Sequence, residues 1–379
     1  MGNLGITGRP REAVKTGCIL AAITVLLLVA VETAAFLALR GSASEAPVRS
    51  SFAYQRYPWA ETFWREYDVS RKFAYQPYVV WRRAPYRGET ITVDAEGLRR
   101  TEHSQCGAHE YRIYMFGGST LWGTGSPDWG TIPSLLAEQY QKAGRPVCVR
   151  NYGESAWVST QGTIKLLLEL KHGERRPDLV IFYDGVNDVF TAWQAGRADV
   201  HQDFDRIKAR FEPRAQGRPG TFGYLLDSNA SRLLQDWLAP SAPPRTVGAG
   251  APLGEPAELA RAPVAGYLRN LDVVDALAER HGFDYVFFWQ PVIFADQKPL
   301  TKEEQEIRRA KSQAWPGLEA LYRSTYDLIV RESRRNLVYI ADVFKGYQGN
   351  LYLDFTHISP DGNRLVAQRM YETLTRLGL

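Results

Sequence analysis

Cysteine and histidine are scarce in this chain. Only three of its 379 residues are cysteine (Cys18, Cys106 and Cys148), and no two of them form a CxxC pair. The six histidines, His103, His109, His172, His201, His281 and His357, are scattered, without an HExxH or HxH arrangement. The ligand patterns of a structural zinc site and of a metallohydrolase are therefore missing, and neither metal nor cofactor is expected. Dense runs of lysine and arginine are also missing. A formal net charge of +4 is small for this length, so nucleic acid is not an expected partner. No internal repeat is visible. What remains is the composition of a globular chain, 45% hydrophobic and 23% charged, long enough for one large α/β domain with insertions or two modest ones.

The N-terminus carries one long apolar run, from Cys18 to Leu39, whose only charge is Glu32. Its length matches the roughly 20 residues that a helix needs to cross a bilayer. Arg9, Arg11 and Lys15 precede it, and this basic excess predicts a cytoplasmic N-terminus (1–17) and an anchor over 18–39, with the rest of the chain outside. A cleaved signal peptide, which would release the protein, is the rival reading, although its apolar core is usually only about 7–15 residues. Outside the cytoplasm a disulfide can persist. Cys106 lies just before one predicted strand and Cys148 within the next, so a Cys106–Cys148 bridge is possible if those strands are neighbours.

Residues 40–60 read as a stalk. Residues 61–110, rich in aromatics and arginine, read as a strand-and-loop cap with no legible chemistry. Strands and helices then alternate. Strands are predicted over 111–118, 147–153, 178–185, 283–291 and 337–344, and helices over 131–143, 160–172 and 265–282. The strands read as nearly continuous apolar runs, which predicts a parallel sheet covered on both faces within 111–379. In such sheets chemistry gathers in the loops after the carboxyl ends of the strands. An insertion spans about 191–262 and contains a Pro/Gly/Ala-rich stretch near 239–258. Residues 296–334 read as charged surface helices.

Four strand-end loops carry unusual residues: Gly117-Gly118-Ser119-Thr120, Asn151-Tyr152-Gly153, Gly185-Val186-Asn187-Asp188 and Asp354-Phe355-Thr356-His357. A serine hydroxyl is a weak nucleophile until a base takes its proton. His357 can be that base for Ser119, and Asp354, three residues earlier, can fix its tautomer. Glycines ahead of Ser119 permit a sharp turn. The backbone N–H groups of Ser119 and Gly153 and the side chain of Asn187 are the expected oxyanion donors. Gly118, Gly185 and Asp188 are expected to support these loops, Asp188 by side-chain bonds to backbone. Ser359-Pro360 reads as a helix start after the histidine. Glu154 and Asp184 flank the loops without a legible role. Trp122, Trp129, Trp157, Trp193 and Trp289 lie at or after strand ends, where exposed indoles would suit sugar rings and buried ones the core.

The ordered set GxST, NxG, GxND, DxxH resembles the SGNH hydrolase superfamily, named for residues that fall here on Ser119, Gly153, Asn187 and His357. The resemblance covers about residues 111–190 and 265–379. It implies a flavodoxin-like three-layer α/β/α fold, no metal, and esterase, lipase, acetylhydrolase or O-acyltransferase chemistry. The Gly-Asp-Ser of many members is Gly-Gly-Ser here, which weakens assignment to the GDSL lipase subgroup. The expected function is hydrolysis of an O-acyl, above all O-acetyl, ester on an extracytoplasmic glycan. One alternative is O-acyl transfer to a cell-envelope polysaccharide, with a membrane acyltransferase as partner. Another is a non-catalytic glycan-binding envelope protein.

Overall fold

The computed structural model describes residues 9–42, 57–173, 175–209, 211 and 256–379. Among the described residues the chain divides into two units, one with residues 9–42, 207–209 and 211, the other with residues 57–173, 175–206 and 256–379. In the first unit, helix α1 (Arg9–Ser42) contains a 23-residue span, Val14–Phe36, with a mean hydropathy of 2.4. That span is long and apolar enough to cross a membrane, extending about 35 Å at 1.5 Å per residue. Most of the expected stalk and of the expected insertion, including 239–255, lies outside the described residues.

The second unit opens with helix α2 (Ala60–Ser70) and two short antiparallel pairs, β1 (Phe73–Gln76) with β2 (Val80–Arg83) and β3 (Tyr86–Arg87) with β4 (Thr92–Val93). The doubly wound part follows: β5 (Tyr111–Gly117), the one-turn helix α3 (Ser119–Trp122), α4 (Ile132–Lys142), β6 (Val147–Asn151), α5 (Ser159–His172), β7 (Leu179–Asp184) and α6 (Val186–Ala195). After α7 (Phe204–Lys208) come α8 (Pro256–His281), β8 (Asp284–Trp289), α9 (Lys302–Ala314), α10 (Leu318–Ile329), β9 (Leu337–Tyr339) and α11 (Pro360–Leu377).

Five strands pair in parallel in the order β6-β5-β7-β8-β9. This is the flavodoxin-like order with helices on both faces, as the alternation of strands and helices requires. Helix α4 packs with α11 on one face, and α5, α6, α8 and α10 pack together on the other. Central strand β7 is buried at every position because both of its faces are covered. Two elements differ from expectation. The last strand ends at Tyr339, and Ile340 and Phe344 turn into the core instead of extending the edge. Helix α10 is not a surface helix: Leu318, Leu321, Tyr322, Tyr326 and Ile329 form one apolar stripe that faces the core.

The expected cysteine bridge is present between Cys106 and Cys148. Parallel pairing sets Arg112 of β5 beside Cys148 of β6, which brings the chain preceding β5 to the second cysteine.

Candidate active site

The strand order reverses between β5 and β7, so the loops that follow them diverge and leave a crevice at their carboxyl ends. Ser119 follows β5 and Asn187 follows β7. Ser119 is the first residue of α3, so its N–H has no intrahelical acceptor. Gly118 is needed because Asn187 stands against it: an added Cβ would sit 2.4 Å from Asn187 Nδ2. Gly185 has φ of +105°, and a Cβ there would meet the Trp289 ring at 2.7 Å, so only glycine suits the turn into α6.

His357 arrives on the loop between β9 and α11. Its Nε2 lies 2.8 Å from Ser119 Oγ and its Nδ1 lies 2.6 Å from Asp354 Oδ2. The other Asp354 oxygen accepts the backbone N–H of His357 at 2.7 Å and of Thr356 at 2.9 Å. Burial alone would raise the Asp354 carboxyl, but adjacent His357 and these N–H donors outweigh it, and the pKa falls below the ordinary aspartate value. The carboxylate therefore stays ionised and orients the imidazole. Ser359 caps α11 by accepting the Gly362 N–H, and Pro360 takes the first helical position, as the sequence predicts.

The oxyanion side differs from expectation at one position. The Gly153 N–H donates to Asn151 Oδ1 at 2.9 Å and is not a free donor. Glycine is required at 153 for a different reason: a Cβ would come within 2.5 Å of the Trp122 backbone nitrogen. The neighbouring N–H groups are also taken. Those of Tyr152 and Glu154 donate to Met115 O and Gly117 O, and those of Ser155 and Trp157 to Glu154 Oε1 and Glu154 O. Between Tyr152 and Trp157, Ala156 alone has an N–H without an acceptor among the described residues. Ala156 adopts φ of +61°, a conformation that an alanine does not advertise in a sequence. Asn187 Nδ2 donates to Trp157 O at 2.7 Å, which locks the amide and leaves its second N–H available. Asp188 bonds outside its own loop. Its carboxylate accepts the Ser159 hydroxyl at 2.5 Å and the Ser159 N–H at 3.2 Å, tying α6 to the start of α5.

Several supporting residues were not legible in the sequence. Gln290, at the end of β8, accepts from the Thr120 hydroxyl at 3.1 Å and donates to Thr356 Oγ1 at 3.3 Å, joining the serine turn to the histidine loop. Glu304 is fully buried, pairs with Lys298 and accepts the N–H groups of Leu351 and Tyr352, which fixes the base of the histidine loop. Two arginines of the expected cap, Arg83 and Arg99, sandwich the Trp122 indole, with guanidinium carbons 3.7 and 4.2 Å from its centroid. Arg99 also pairs with Asp128 at 2.9 Å and donates to the carbonyls of Trp122, Gly123 and Ser126. Arg83 lies against Glu154, whose carboxylate accepts the Arg83 N–H at 2.7 Å. The segment thus holds the turn after the serine and the loop after β6. Burial, with Asp188 nearby, pushes the Asp184 carboxyl well above the usual range. Trp122, Trp157, Trp193 and Trp289 are buried core residues, whereas Trp129 is 43% exposed.

No protein-family model and no curated protein matches the chain. Among solved structures, the chain is similar to a member of the lipolytic protein G-D-S-L family from Veillonella parvula DSM 2008, at 12% identity over 70% of this chain and 99% of that one, TM-score 0.36. It is also similar to the acetyl xylan esterase AlAXEase, at 13% identity over 69% and 99% of the two chains, TM-score 0.34. A third similar structure is the psychrotrophic esterase EstA from Pseudoalteromonas sp., at 12% identity over 71% and 98% of the two chains, TM-score 0.35.

Proposed function

We propose that this protein is an SGNH-type serine esterase. The observation that carries the reading is the unbroken chain of hydrogen bonds from Ser119 Oγ through His357 to Asp354, at 2.8 and 2.6 Å. In the proposed reaction His357 Nε2 takes the Ser119 proton as Oγ attacks the acyl carbonyl. The tetrahedral oxyanion is held by the N–H of Ser119, the free amide N–H of Asn187 and the N–H of Ala156, the last replacing Gly153. The imidazolium, steadied by Asp354, gives its proton to the leaving alcohol. Water then attacks the acyl-enzyme by the same route in reverse.

In this reading the ester is an O-acyl, above all O-acetyl, group on a glycan outside the cytoplasm. The span within α1 supports membrane attachment, and the Cys106–Cys148 bridge supports an oxidising compartment. The experiment is turnover of p-nitrophenyl acetate, butyrate and octanoate by the full chain in detergent, beside Ser119→Ala. Hydrolysis that disappears in the variant is expected, by a factor on the order of 10⁴ or more if background is low. Equal rates in both proteins would refute the reading.

A further inference from the structure

Two tyrosines of the β1–β2 hairpin are among the most exposed aromatic side chains in the described residues, Tyr75 at 78% and Tyr78 at 75%. The turn that presents them is strained: Tyr78 has φ of +69° and Val80 of +75°. A β-branched valine rarely adopts that conformation, and it persists only where its surroundings dictate it; such residues gather at functional sites. Here the surroundings are the loop after β6, which carries Gly153 and Ala156, and the first turn of α5. Between the two strained residues Val79 is fully buried, and its carbonyl accepts Gln161 Nε2 at 2.8 Å. Strand β2 then runs along the loop after β6. Trp81 Nε1 donates to Ser155 O at 2.9 Å, Trp157 Nε1 donates to Trp81 O at 3.2 Å, and Arg82 donates to Tyr152 O at 3.0 Å. Ser155 and Trp157 flank Ala156, and Trp157 O holds Asn187. Tyr75 pairs directly with Trp81, so the two rings stand on one face of the hairpin, beginning at the edge of this loop.

We propose that this hairpin is the wall of the subsite for the alcohol half of the ester, and that the alcohol is a sugar ring stacked on Tyr75 with Tyr78 beside it. The inference rests on the esterase reading and its glycan, and adds the surface on which the sugar is held. An acyl chain calls for an enclosed apolar pocket. This wall is open, and its rings are amphipathic, with an apolar face for the C–H face of a pyranose and a phenolic rim for its hydroxyls.

The test separates binding from turnover. The full chain in detergent, carrying Ser119→Ala, is titrated calorimetrically with O-acetylated oligomers of β-1,4-linked glucose, xylose and N-acetylglucosamine. The same titration is repeated with Tyr75→Ala/Tyr78→Asn added; asparagine tolerates the positive φ. At least one oligomer is expected to bind, and its Kd is expected to rise tenfold or more in the double variant, while Tyr75→Trp retains binding and circular dichroism is unchanged. Binding of no oligomer, or equal binding with and without the two rings, overturns the proposal. With Ser119 intact, a selective loss of p-nitrophenyl octanoate over acetate turnover in the double variant would assign the wall to the acyl chain and also overturn it. Failure of the esterase reading is distinct, because it appears as no Ser119-dependent turnover of any p-nitrophenyl ester, whatever the sugar titration gives.

Discussion

Gly118→Ala places one methyl group where the site has no room for it. Gly118 has φ of −84° and ψ of −159°, an extended conformation open to alanine, so the backbone need not be strained. The added carbon would lie 2.4 Å from Asn187 Nδ2. Ordinary contact needs about 3.4 Å or more, so the amide must retreat by about 1 Å, a displacement that can cost on the order of 10² in rate. That retreat also breaks the 2.7 Å bond by which Trp157 O orients the amide. In the proposed mechanism the variant therefore loses an oxyanion donor without losing the residue that supplies it. Loss of such a donor typically lowers kcat by about 10²–10³, or 2.7–4 kcal/mol. In the proposed mechanism Asn187 acts on the transition state, so KM is expected to hold within about threefold. Steady-state hydrolysis of p-nitrophenyl acetate checks this, with Asn187→Ala and the double variant alongside. The two losses remove one interaction, so the double variant is expected to be no more than about tenfold worse than the worse single. At least half of wild-type kcat in Gly118→Ala, or losses that multiply in full, would refute the placement of Asn187 in the oxyanion hole.

Three further outcomes are expected. Removing the disulfide with Cys106→Ser/Cys148→Ser opens a loop with a sequence separation of 42 residues, and chain-entropy arithmetic puts the loss near 4 kcal/mol. Urea unfolding with and without reductant reads it; a loss below about 1 kcal/mol would contradict that arithmetic. Arg99→Leu strands the buried Asp128 carboxylate, at about 3–5 kcal/mol. Adding Asp128→Leu should restore only part, because the carbonyls of Trp122, Gly123 and Ser126 still lack their donor; full recovery of stability would show that those bonds contribute nothing. Burial raises the Asp296 carboxyl to about 6 despite the hydroxyl of Tyr352 and the adjacent Lys298, with Glu304 adding repulsion. A raised folded-state pKa stabilises below the unfolded value near 4, and that stability is lost as pH rises through about 6. The melting temperature should therefore gain from Asp296 on going from pH 7 to pH 5, and Asp296→Asn should flatten that gain; an unchanged slope would exclude Asp296 as its source.

Local chemistry made the sheet and the triad legible in the sequence. Apolar runs such as LVIFYD at 179–184, short and bounded by Pro177 and Gly185, read as strands covered on both faces, and their alternation with helical stretches leads to the parallel sheet. Ser119, Asp354 and His357 stood out because each lies in a loop that follows a predicted strand, in a set whose members share one reaction, and the structure brings the three into hydrogen-bond contact. The apolar span near the N-terminus was equally plain, because length and hydropathy are properties of a segment alone.

Tertiary structure decided the remainder. Gly153 is expected as an oxyanion donor from its place after a strand and from the family resemblance, but which backbone N–H stays free depends on the acceptors around it. Asn151 takes the Gly153 N–H, and Ala156 is left over. Residues 61–110 offered no pattern because their role is non-local: Arg83 and Arg99 act on Trp122, Glu154 and Asp128, up to 71 residues away. Gln290 and Glu304 hold the histidine loop from distant positions for the same reason. Four tryptophans were as suited to a surface as to the core until packing buried them, because an indole's identity does not say which way its strand end turns. A nucleophile can be read from a motif, whereas the scaffold that aims it consists of contacts between residues far apart in the chain, which one-dimensional spacing does not encode.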